Sequence, residues 1–79
     1  MYSVYVLQST VRNYLYVGLT NNLLRRFAQH NSGYERTTRA YKPFVVVFVE
    51  VFHDRISARE REKYLKTSTG KRWIRAHCV

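Results

Sequence analysis

Cysteine is almost absent: Cys78 is the single one, which excludes an internal disulfide framework and a cysteine-built zinc site. Stability therefore has to come from packing, and a reducing cytoplasm is the expected setting. Three glycines and one proline leave little punctuation, and no repeat, low-complexity tract or linker interrupts the chain. No apolar run approaches the ~20 residues of a membrane-spanning helix, and the opening MYSVYVLQS reads as a strand rather than an export signal. Acidic residues are scarce too, five against 14 Lys and Arg, for a net charge of +9. Such a field attracts polyanions, nucleic acid first, although a merely soluble basic domain carries the same charge. A membrane surface is the poorer fit, because no basic amphipathic helix with bulky apolar anchors is present.

What is plentiful is apolar and ring surface: 46% hydrophobic residues, with seven Tyr, four Phe and one Trp. That is too much for a disordered chain. A chain of 79 residues buries only about 60% of its unfolded surface, so one domain spanning residues 1–79 is expected.

Tyr2 to Gln8 and Tyr14 to Gly18 are rich in Val and Tyr around a polar turn, and so predict a β-hairpin. Thr20 is placed to cap a helix from about Asn21 to Asn31, ended by Ser32-Gly33, with Leu23, Leu24 and Phe27 as its buried stripe. Tyr34 to Pro43 is polar, basic and without period, hence a loop. Phe44 to His53 is apolar on both faces as far as Glu50, which predicts a strand covered by helices. Ser57-Ala-Arg-Glu60 has capping-box spacing and opens a helix to about Lys66; a last short helix near Lys71 to Arg75 carries Trp73 and Ile74. The order is ββαβαα, a small sheet with helices packed on it.

If Ser9 pairs with Tyr14, cross-strand partners sum to 23, so Tyr5 faces Gly18 and Tyr16 faces Leu7. Tyr5 and Tyr16 then share a face as diagonal neighbours roughly 7 to 8 Å apart. Tyrosines on one face often do no more than pack, but a strand glycine opens space beside a ring, where a backbone or ligand can approach. Arg26 and His30, four residues apart, point the same way. Glu62 shares the apolar stripe of its helix with Ala58 and Leu65. An isolated buried carboxylate costs on the order of several kcal/mol, so Glu62 must snorkel, pair with an Arg or bind a cation.

Together these residues resemble a known family. Ser3-Val4-Tyr5 and Tyr16-Val17-Gly18, then Arg26, His30 and the helix Ala58-Arg-Glu-Arg-Glu62, are similar to the GIY-YIG nucleases, which include the nuclease module of the excision-repair protein UvrC. The run Arg25-Arg26-Phe-Ala-Gln-His30-Asn-Ser-Gly33 resembles the small stand-alone bacterial members. Each piece alone is weak; the combination, along the whole chain, is specific.

The resemblance implies an α+β fold, a three-stranded antiparallel sheet flanked by helices, and hydrolysis of DNA phosphodiesters with one Mg²⁺ or Mn²⁺ per site. It implies that Tyr5 and Tyr16 are paired active-site tyrosines, one assisting deprotonation of the attacking water and the other orienting water or phosphate, with the division of roles open. By the same resemblance Arg26 binds the scissile phosphate, His30 acts in proton transfer or phosphate contact, and Glu62 is the metal ligand. A hard divalent ion keeps several waters and needs few protein oxygens, so one carboxylate suffices. Arg36, Arg39, Lys42, Lys71, Arg72 and Arg75 are candidates for tracking flanking phosphates, and Tyr34 and Tyr41 offer rings for an unpaired base. Leu19 stands where many relatives carry a basic residue, and no Asn follows Asn31; both departures bear on substrate positioning. DNA is the expected partner, with specificity for branched, flapped or damaged structure supplied in part by another protein. The competing expectation is a nucleic-acid-binding module or an interaction subunit without cleavage.

Overall fold

A computed structural model describes all 79 residues. The elements run β1 (Tyr2–Ser9), β2 (Leu15–Thr20), α1 (Leu23–Asn31), β3 (Phe44–Phe52), α2 (Arg55–Leu65) and α3 (Ser68–His77), with a 3₁₀ turn at Arg39–Tyr41. This is the expected ββαβαα order. β1 lies at the centre of an antiparallel sheet of order β2-β1-β3. The hairpin register is the one its turn predicts, with Tyr5 opposite Gly18 and Leu7 opposite Tyr16. Ser9 ties that turn: its N–H donates to the Tyr14 carbonyl at 3.0 Å, and its hydroxyl accepts from the amides of Val11 and Arg12 and donates to the Tyr41 carbonyl.

Because side chains alternate across a strand, β1 serves two different cores. Val4 and Val6 join Leu15, Val17, Ala58, Leu65 and Ile74 beneath α2 and α3. Tyr5 and Leu7 join Phe44 on the other face, packed by Tyr14, Tyr16, Tyr41 and by Leu23 and Phe27 of α1.

Five expectations are corrected. β3 is an edge strand, not a covered one: Val45, Val46, Val49 and Val51 are exposed, Val51 by 55%. A continuous apolar run signals a two-sided cover in parallel sheets; here two helices lie under one face and a single nine-residue helix over the other, too few to reach that edge. Leu24 is 84% exposed, and the buried position of α1 is His30 instead. The cap of α1 is Asn22, whose side chain accepts from the Arg25 amide at 3.2 Å, while Thr20 still belongs to β2 and accepts from the Asn22 amide. The cap of α2 is Asp54, three residues before the expected cap Ser57; its carboxylate accepts the Ser57 amide at 2.8 Å and favours the positive helix end. α3 also starts earlier, at Ser68, with Thr67 as its cap.

The end of α1 is as expected. Gly33 takes φ +81°, the Tyr34 amide donates to the Gln29 carbonyl and the Gly33 amide to that of His30, the bond pattern of a Schellman cap. The cap turns the chain back so that the 34–43 segment runs beside His30.

Candidate nuclease site

The aromatic face of the sheet gathers most of the predicted residues. The Tyr5 and Tyr16 ring centroids are 6.2 Å apart, and Tyr16 lies 4.6 Å from the His30 ring. Tyr5 Oη is 3.1 Å from His30 Nε2. On the far side, His30 Nδ1 is 2.9 Å from Thr38 Oγ1. Tyr5, His30 and Thr38 are all fully buried or nearly so, whereas Tyr16 is half-exposed. Gly18 makes the arrangement possible, since a methyl group there would overlap the Tyr5 ring and hydroxyl.

Arg26 stands one turn before His30 and is half-exposed. Its Nη1 donates to Glu35 at 2.7 Å and to Gln29 at 3.0 Å. Partial burial opposes the guanidinium charge, but Glu35 and Tyr5 more than offset this and its pKa is raised. Glu35 is correspondingly held below the usual carboxylate range by the hydrogen bond and charge of Arg26. Burial, then the neighbouring Tyr16, push the Tyr5 phenol up to about 12, with Arg26 pulling the other way. Burial and then Arg26 lower the His30 pKa below its ordinary value, so the imidazole is neutral at pH 7.

Glu62 is not hydrogen-bonded to this group. It lies on α2, whose Ala58 and Leu65 pack against the opposite sheet face, and none of its hydrogen bonds or ion pairs reaches Tyr5, Tyr16, Arg26 or His30. The stripe of Ala58, Glu62 and Leu65 is buried as the helical period predicts, Glu62 to 5% exposure. Of the alternatives for an inward carboxylate, pairing is seen: Oε1 accepts from Arg59 at 2.9 Å and Oε2 lies 3.1 Å from Lys66 Nζ. No group of three or more His, Cys, Asp and Glu side chains is assembled anywhere in the chain.

Arg36, Arg39 and Lys42 are exposed on the segment beside His30, with Arg39 Nε donating to the Gly33 carbonyl. Lys71 and Arg72 lie on α3, against the other face, and Arg75 donates to Asn13 at 2.8 Å. Tyr34 is 70% exposed, but Tyr41 already stacks on Tyr14 at 3.8 Å.

Thr38 and Glu35 were missed by the sequence reading. His30, expected at the site, also takes the buried place on α1 that was expected of Leu24, since Leu23, Phe27 and His30 follow the i, i+4, i+7 spacing of a buried stripe. Nothing in the sequence marks Thr38, because its role depends on the turn that brings the loop back.

Three antiparallel strands with flanking helices make the α+β fold expected of a GIY-YIG nuclease domain. Residues 1–75 match the GIY-YIG catalytic domain, and the chain belongs to the GIY-YIG nuclease family. It is 39% identical over 64 residues to a UPF0213 protein of Desulfotalea psychrophila, covering 76% of this chain and 58% of that protein. It is likewise 39% identical over 67 residues to a UPF0213 protein of Clostridium perfringens, covering 84% of this chain and 71% of the relative. A structure-specific endonuclease subunit SLX1 homolog of Giardia intestinalis is 40% identical over 68 residues, which is 81% of this chain but 18% of that protein. No solved structure matches the chain significantly.

Proposed function

We propose that this chain is a divalent-metal-dependent endonuclease that cuts branched or otherwise structured DNA. The observation that carries the reading is the cluster of Tyr5, Tyr16 and His30 beside Arg26, in a chain matched by the family along nearly all its length. Arg26 presents a planar fork suited to phosphate oxygens; an incoming phosphate takes the place that Glu35 now holds. The net charge of +9 draws the polyanion in, and Arg36, Arg39 and Lys42 extend the basic surface along the same segment. Lys71 and Arg72 would serve DNA wrapping past the sheet edge.

Glu62 is the residue that would hold Mg²⁺ or Mn²⁺. It suits such an ion as a single ligand: a shielded carboxylate whose present partners, Arg59 and Lys66, are exposed, flexible cations. The ion, when bound, supplies positive charge against the phosphate oxygens in the transition state. The Giardia relative is by name a structure-specific endonuclease subunit, which supports structured DNA as substrate and a partner protein that helps select it; a role in DNA repair or recombination, in the cytoplasm, belongs to the same proposal.

A second reading, a nucleic-acid-binding module without cleavage, has one observation on its side: both Glu62 oxygens are engaged by cations. A nicking assay on supercoiled plasmid and branched oligonucleotides with Mg²⁺ or Mn²⁺ separates the two. Cutting that needs the ion and is abolished in Glu62→Gln, with DNA affinity retained, is the expected result; DNA binding with no cutting on any substrate would replace the first reading by the second.

A further inference from the structure

The two flanks of α2 use their cations differently. Arg61 is settled: its Nε donates to Glu50 of β3 at 2.9 Å, and its guanidinium lies over the Tyr64 and Trp73 rings. Arg55, Arg59, Lys63 and Lys66 follow helical spacing along the other flank, on the side of α2 turned away from β3. Three of them, Arg55, Arg59 and Lys63, border a shallow hollow of about 430 Å³ on the helix surface. The strand at the opposite edge of the sheet from β3 is β2, which carries Tyr16 and leads into α1 and Arg26.

Glu62 is where this flank meets the interior. Its side chain is 6% exposed, whereas those of Arg59 and Lys66 are 54% and 52% exposed. Both ion partners belong to its own helix and reach it from solvent, and no side chain of the sheet or of α3 pairs with it. The three charges therefore depend on one another. Phosphate drawing Arg59 and Lys66 outward strands a shielded carboxylate without a partner, which is costly. A divalent cation arriving at Glu62 while Arg59 and Lys66 stay sets like charges side by side. When phosphate takes the two side chains and the cation takes the carboxylate, every charge is paired.

We infer that Arg59 and Lys66 are exchange residues: they neutralise Glu62 in the free chain and pass to backbone phosphates of bound DNA, so the flank of Arg55, Arg59, Lys63 and Lys66 is a second phosphate-binding surface and Glu62 is closed to a divalent cation until DNA binds. The identity of the ligands rests on the nuclease reading above. DNA and cation assist each other's binding, reciprocally, by the roughly 5–150-fold typical of such coupling. The two ion pairs on Glu62 are then the resting form of the site.

Two measurements on the full chain test the exchange, and neither needs cleavage. Without DNA, Mn²⁺ broadening of the amide signals around Glu62 in ¹H–¹⁵N spectra reads access to the carboxylate. Arg59→Gln and Lys66→Gln should each broaden at lower Mn²⁺ than wild type, and the double variant at about a fifth of the wild-type concentration or less. Lys63→Gln, which does not touch Glu62, should match wild type, and Glu62→Gln should lose the broadening. Wild-type behaviour in both single variants would overturn the exchange. Fluorescence anisotropy with a branched phosphorothioate oligonucleotide, in Mg²⁺ and in EDTA at equal ionic strength, reads the coupling. Wild type should bind more tightly in Mg²⁺, and this gain should vanish in the Arg59→Gln, Lys66→Gln double variant and in Glu62→Gln. Arg55→Gln with Lys63→Gln should weaken binding in both buffers and keep the gain. A gain that persists in full in the double variant would overturn the exchange, and unchanged affinity on losing Arg55 and Lys63 would overturn the second surface. Should the double variant not fold, the two single variants decide. A chain that cuts nothing yet shows both effects keeps the exchange and loses the nuclease reading; a chain that cuts and shows neither does the reverse.

Discussion

The two faces of the sheet are built from the same central strand and do opposite work. Under α2 and α3, Val4, Val6, Leu15, Val17, Leu65 and Ile74 meet as aliphatic side chains with no hydrogen-bonding group to satisfy. Over α1, every second residue of the same strand meets rings, hydroxyls and a neutral imidazole, and its neighbours include an Arg–Glu pair. Hydrophobic burial alone stabilises the first. The second is a polar row in which each member depends on the next, so small changes there should alter chemistry more than stability.

Leu65→Ala should break the aliphatic side, at about 2–5 kcal/mol in urea unfolding, and any cleavage that survives below the unfolding midpoint should be unaltered per folded molecule. Arg26→Ala should do the converse: cleavage falls by about 10²–10³, some 2.7–4 kcal/mol of barrier, in single-turnover kinetics, with little change in thermal midpoint. Gly18→Ala falls between them. Its methyl has to displace Tyr5, so it should destabilise by about 1–3 kcal/mol and also slow cleavage. A loss of stability without a loss of rate would show that the Tyr5 position is unimportant to the chemistry.

The smallest effect is on pH dependence. His30 has a lowered pKa in the folded chain, so the unfolded chain binds more protons between the two values and stability rises with pH across that window. The contribution is complete above the ordinary 6.5 and is lost as pH falls through the folded value. Urea midpoints of wild type should decline below pH 6.5 more steeply than those of His30→Asn; parallel curves would contradict a buried neutral imidazole.

The aliphatic side was the more legible in the sequence. The hairpin register followed from one turn, and the stripe of Ala58, Glu62 and Leu65 from helical period, because both are local rules. The other side was read only in its first tier. Tyr5, Tyr16, Arg26 and His30 were found by spacing and resemblance, but Thr38 and Glu35 reach the site through a loop without period, and their contacts are set by the Schellman cap at Gly33. The uncovered β3 was misread for a related reason: an apolar run reports strand propensity, while cover depends on how many helices the chain has to spend.

The most direct test of the central claim is single-turnover cleavage of a branched oligonucleotide panel with Mg²⁺, comparing wild type with Tyr5→Phe and Tyr16→Phe, which keep the rings and remove only the hydroxyls. The account predicts metal-dependent cutting by wild type and a large loss of rate in both variants at unchanged DNA affinity. Equal rates in all three would reduce the aromatic face to a second core and contradict the account.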